Sequence, residues 1–146
     1  MKRQLKLFIA ITIVCGAFAV SGNAQTSVSQ IMRARIPFTF TVGEKTLPAG
    51  VYTVSILNPS SDRKVLQIRS ENGRVSAIIQ TVGAEGAVVD NAKLEFRRYG
   101  ESYFFAKAQM AGESTGLAAT KTRAERATQR ALRHGRHPSV IAIVAE

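Results

Sequence analysis

Between Ala34 and about Met110 the chain falls into short runs in which apolar and polar residues alternate, divided by glycine, proline and asparagine. A period of two is the spacing at which strand side chains return to the same face, and runs this brief leave no room for helical periodicity. Ile36, Phe38, Phe40 and Val42 alternate with Arg35, Pro37, Thr39 and Thr41, which predicts one half-buried strand. Pro37 has no N–H for a ladder, so it belongs at the start of that strand or on an edge. Gly43-Glu44-Lys45 and Pro48-Ala49-Gly50 are turn chemistry. Tyr52, Val54 and Ile56 form a second strand with Val51, Thr53, Ser55 and Leu57 on its other side, and Asn58 to Asp62 a loop.

Two hairpins can be registered from their turns. Asn72-Gly73 predicts a type I′ turn, both central residues having positive φ. That sets Glu71 against Arg74, Ser70 against Val75, Ile68 against Ala77 and Leu66 against Ile79. The apolar side chains then gather on one face, and Gln67, Arg69, Ser76 and Gln80 on the other, with Ile78 the exception. A slip of one residue would scatter them. After a loop around Gly83 to Gly86, the run from Leu94 to Lys107 folds back at Gly100-Glu101, a type II′ sequence. Phe96 then faces Phe105, and Arg98 faces Tyr103, where a guanidinium can lie on the ring.

Past Gly112 and Gly116 the pattern turns to alanine and charge. Thr122-Arg123-Ala124-Glu125 reads as a capping box, opening a helix over 120–134 that ends at Gly135. On its wheel Ala124, Ala127 and Ala131 make a stripe of small residues fit for close approach to a sheet, with Arg123, Arg126, Arg130 and Arg133 beside it. Val140 to Val144 has strand length, giving a final strand over 139–145 that closes or edges the sheet. The expected fold is mainly β: an antiparallel β-sandwich or barrel of about 6–8 short strands, with one C-terminal α-helix followed by a final strand.

The N-terminus reads differently. Lys2, Arg3 and Lys6 precede an apolar run of 14 residues, Leu7 to Val20, followed by Ser21-Gly22-Asn23-Ala24. A positive start, an apolar stretch and small residues before a cut are the grammar of a secretory signal peptide, here 1–24. A membrane-spanning helix needs about 20 apolar residues, so an uncleaved anchor fits less well. Cleavage would leave a mature chain beginning at Gln25, a flexible segment over 25–33 and a single domain over 34–146. It would also remove Cys15, leaving no thiol for a disulfide, a nucleophile or a metal. Thr12-Ile13-Val14 lacks the small residue of a lipoprotein signal ahead of Cys15.

The 146 residues carry 20 Lys+Arg against 10 Asp+Glu, a net charge of +10, with 45% hydrophobic and 21% charged residues. This balance suits one globular domain. Without residues 1–24 there remain 17 basic and 10 acidic residues, or +7. Residues 121–136 hold six basic residues against Glu125 alone, a local +5, whereas 25–120 hold 11 against 8. The excess is thus mostly one segment, and export argues against nucleic acid as its partner.

The phrases Ile36-Pro37-Phe38-Thr39-Phe40-Thr41-Val42-Gly43, Leu47-Pro48-Ala49-Gly50 and Tyr52-Thr53-Val54 open a longer pattern. It continues through Leu66-Gln67-Ile68-Arg69-Ser70, Phe96-Arg97-Arg98-Tyr99-Gly100 with Tyr103-Phe104, and the basic stretch from Lys121 to Arg126. Over about residues 34 to 145 the chain resembles a family of small secreted bacterial proteins of unknown function. The resemblance implies a β-rich envelope or extracellular protein and brings no activity, cofactor or catalytic residue. Thr39 stands where that family usually carries an aspartate.

Catalytic patterns are sparse. His134 and His137 are the chain's two histidines, there is no Gly-x-Ser-x-Gly turn, and Gly135 and Pro138 interrupt any helix that would align the pair on a metal. Asp62, Glu71, Asp90 and Glu101 sit mostly in expected turns, and Gly83-Ala84-Glu85-Gly86 lacks the Gly-Lys-Ser/Thr ending of a phosphate loop. No catalytic residue, metal or cofactor is assigned. The first expectation is a non-enzymatic, secreted or periplasmic module of the envelope that meets an anionic component or partner protein through Lys121, Arg123, Arg126, Arg130 and Arg133. It has no transmembrane segment once mature. The alternative is a small-ligand barrel with Phe38, Phe40, Tyr52, Phe96 and Phe105 around its cavity. An uncharacterised hydrolase comes third.

Overall fold

The computed structural model describes residues 29–132 and 138–145, with side chains from Met32 onward. The signal-peptide reading, Cys15, Arg133, both histidines and Gly135 lie outside them. The described residues form ten strands and one helix. In chain order these are β1 (Ser29–Ile36), β2 (Phe40–Val42), β3 (Lys45–Leu47), β4 (Gly50–Ile56), β5 (Val65–Ser70), β6 (Ser76–Glu85), β7 (Lys93–Tyr99), β8 (Ser102–Gln109), β9 (Thr115–Ala119), α1 (Arg123–Ala131) and β10 (Ser139–Val144).

All ten strands belong to one sheet. Its long path runs β1-β4-β5-β6-β9-β8-β7-β10, every neighbour antiparallel. The sheet curls until β1 and β10 lie side by side, with Ala34, Arg35, Val51 and Val144 around the gap between them. No ladder joins those two strands among the described residues, so the sheet is open, one pairing short of a barrel. β9 fills the space between β6 and β8 at one end of the curl. At the other end the hairpin β2–β3 fills it, β2 pairing parallel with β8 at Thr41 and Phe104.

Alternation sorts the side chains as expected. Met32, Ala34 and Ile36 of β1, Tyr52 and Val54 of β4, Leu66 and Ile68 of β5, and Leu94 and Phe96 of β7 all point inward and are buried. Each large apolar side chain removed from water contributes about 2 kcal/mol. Outward positions are mostly polar or charged; Ile78 is exposed, as the register required, and so are Val82 of β6 and Val140 and Val144 of β10. Both hairpin registers hold. Ile68 pairs with Ala77 and Leu66 with Ile79, while Phe96 pairs with Phe105 and Arg98 with Tyr103, its guanidinium 5.5 Å from the ring centroid. Gly100 at φ 61° gives the second turn its positive first central residue.

Several expectations are corrected. The strand expected over Ile36 to Val42 is two strands, because Pro37 ends the ladder of β1 and Phe38 turns aside to stack on Tyr103 at 4.0 Å. The segment 25–33 is not wholly flexible, since β1 begins at Ser29 and pairs along β4. The Asn72-Gly73 turn is not type I′. Gly73 alone has positive φ, at 68°, and its N–H donates to the Ser70 carbonyl while Asn72 Oδ1 accepts from Arg74 N, a four-residue loop that preserves the register. The loop around Gly83 to Gly86 is largely strand: β6 continues to Glu85, paired with β9, a strand that the alanine and glycine of Thr115–Ala119 did not announce. Strands therefore number ten rather than 6–8. The helix is shorter than 120–134, its first turn starting only after the cap at Thr122.

Candidate anionic-surface site

The helix is held on the outer face of β7 and β8 by a buried charge. Thr122 caps it, its hydroxyl accepting from Glu125 N at 3.1 Å. The reciprocal half of a capping box is missing, because the Glu125 side chain points into the protein, where it is 1% exposed. Arg97 grips it with two bonds, Nε to Oε1 at 2.5 Å and Nη2 to Oε2 at 3.1 Å, and the Tyr99 hydroxyl donates to Oε1 at 3.0 Å. Arg97 Nη2 reaches further, to the carbonyls of Phe105 and Ala119. Every buried side-chain polar atom among the described residues has a partner. Burial first, then the hydrogen bond to Glu125, pushes the Tyr99 phenol up to about 12. Burial also raises Tyr52, whose hydroxyl donates to the Pro48 carbonyl.

With Glu125 facing inward, the other positions follow from 100° per residue. Thr128, Gln129 and Leu132 fall on the half-buried side, and Lys121, half-buried just ahead of the cap, donates from Nζ to Gln129 Oε1 while lying 5.9 Å from the Tyr99 ring centroid. Arg123, Arg126 and Arg130 fall within an arc of about 60° on the opposite side. All three are exposed, and none forms an ion pair with a described residue. Arg126 is braced by a bond from Nη1 to the Lys121 carbonyl. The alanine stripe does not meet the sheet: Ala124, Ala127 and Ala131 are exposed, because the sheet beneath offers a guanidinium and a phenol, which call for a carboxylate. Of the five cations expected to make the site, three are brought together on the solvent side, Lys121 lies half-buried ahead of the helix against Tyr99, and Arg133 lies outside the described residues.

The aromatic residues expected around a cavity pack against one another instead. Phe40 lies edge-on to Tyr52 and Phe96 at 5.1 and 5.3 Å, Phe96 to Phe105 at 6.0 Å, and Phe38 to Phe96 at 5.3 Å. They plug the end of the curl where β2 and β3 sit. The opposite end is open, a cleft of about 410 Å³ between Met32, Ile56, Met110 and Leu117, with Lys64 and Glu113 on its rim. Sequence reasoning missed this cleft, whose lining is scattered over five segments, and missed Arg97 and Tyr99 as the helix's anchor. The arginine at 97 beside an aromatic residue at 99 was the only trace of the latter.

No three His, Cys, Asp or Glu side chains among the described residues are grouped to hold a metal ion. No helix among them is long and apolar enough to cross a membrane. Comparison with known protein families, with characterised proteins and with solved structures finds no match for the chain.

Proposed function

We propose that the protein is an exported, non-enzymatic module that docks on an anionic surface of the bacterial envelope through the outer face of α1. The observation that carries this reading is the aim of the helix. One buried carboxylate, held by Arg97 and Tyr99, turns Arg123, Arg126 and Arg130 together toward solvent on a rigid β scaffold. The contact is electrostatic rather than inserted, because the outer face of α1 carries alanine and arginine and no large apolar side chain.

Sedimentation with vesicles tests it. The protein is expected to bind phosphatidylglycerol vesicles at low salt, to be released at high salt and to ignore phosphatidylcholine. At about 1 kcal/mol per cation, replacing Arg123, Arg126 and Arg130 together by glutamine weakens binding about a hundredfold. Circular dichroism checks that the fold is retained. Equal, salt-insensitive binding by the triple variant would remove the proposal.

A further inference from the structure

The open end of the curled sheet is a cleft. Its walls are apolar and come from separate strands: Met32 of β1, Ile56 of β4, Leu117 of β9, and Met110 just beyond β8. At about 410 Å³ it falls within the range of about 300–1,000 Å³ typical of small-molecule pockets, and its two thioethers can adapt to an irregular shape. Two charged residues stand on its rim, of opposite sign. Lys64 Nζ bonds the Pro59 carbonyl and keeps donors to spare, while the Glu113 carboxylate accepts no bond from a described residue.

The loops that carry the two charges are fastened through their backbones. The buried Gln109 side chain donates to the carbonyls of Ala87 and Glu113, each at 2.9 Å, fastening the loop that carries the carboxylate. Asn58 does the same for the loop that carries the ammonium, donating from Nδ2 to the Arg63 carbonyl at 2.8 Å and accepting from Val65 N at 2.5 Å. Lys64 and Glu113 form no ion pair with each other. A simple carboxylate in the cleft would be repelled by Glu113 and a simple amine by Lys64, whereas a molecule carrying both charges can pair with each. We propose that the cleft binds a small zwitterion with an apolar body, of the class of the hydrophobic amino acids, its carboxylate on Lys64, its ammonium on Glu113 and its side chain between Met32, Ile56, Met110 and Leu117.

Isothermal titration of the protein with L-leucine, N-acetyl-leucine, leucine amide and hexanoate tests this, with the methionine methyl resonances followed in parallel. Leucine is expected to bind and to shift the Met32 and Met110 methyl signals. Blocking either of its charges, or substituting Lys64→Gln or Glu113→Gln, should weaken binding about tenfold or more. The variant lacking Arg123, Arg126 and Arg130 should bind leucine as the parent does, which keeps this site separate from the helix surface. No binding of leucine, unmoved methyl signals, equal binding of the blocked derivatives or of hexanoate, or unaffected charge variants would each overturn the assignment.

Discussion

Glu125 decides more than any other single residue. Removing one partner of a buried ion pair leaves the other desolvated and uncompensated, whereas replacing both with apolar residues of similar volume is often neutral. Glu125→Ala is therefore expected to lower the unfolding free energy by about 3 kcal/mol in urea denaturation. The double variant Arg97→Met with Glu125→Leu should recover most of that loss. A cost near zero for the single variant would mean that the helix is held by something else. Tyr99 adds a dependence on pH. Its phenol is neutral in the fold up to about 12, against 10.0 for the free group, so the folded state keeps its proton where the unfolded chain has lost it. The stabilisation is complete below pH 10 and disappears as pH rises from 10 to about 12, and Tyr99→Phe should flatten stability over that window. Glu125 was visible in the sequence only as a cap, since local spacing says what a side chain can reach along its own helix and nothing of a guanidinium 28 residues away.

At the level of elements, the hairpins were the legible part and β9 the illegible one. The Phe96–Phe105 and Leu66–Ile79 pairings could be read because turn residues fix which positions face each other, and the apolar pattern then has one consistent solution. Thr115–Ala119 is rich in alanine and glycine for a reason that only the neighbouring strand supplies. Gly116 lies against the Lys107 stem, where an added Cβ would come within 2.7 Å of Cδ and 3.2 Å of the Ala108 carbonyl. Gly116→Val should therefore part β9 from β8 and cost about 2 kcal/mol, seen as a lower melting temperature and faster amide exchange in Thr115–Ala119. Unchanged exchange there would show that the strand has slack. The same limit hid the docking side of α1, since a stripe of alanines and a lone glutamate compete for the inward face and the sheet beneath selects between them.

The whole molecule separates two kinds of chemistry. Charge is displayed outside on α1, within the segment 121–136 that composition alone marked as basic. The open cleft lies at one end of the curl, where residues far apart in sequence converge, so it could not be read before the topology was known. The aromatic residues that suggested a cavity are instead what makes the opposite end solid.

The unclosed seam has a consequence for the order in which the chain can be threaded. The first and last described strands are neighbours, with Ala34 and Val144 on the same gap, and the unbroken run of antiparallel ladders between them makes them opposite in sense. The order of attachment around the sheet is therefore almost a ring, and a ring can be cut anywhere its surface is permissive. Pro59 to Arg63 is exposed and lies between β4 and β5. A circular permutant that joins Ala145 to Ser29 through a short glycine-serine linker and begins in that loop should fold to the same sheet. Matching circular dichroism and a cooperative melt would show that the architecture belongs to the ladder pattern rather than to the direction in which the chain was first written.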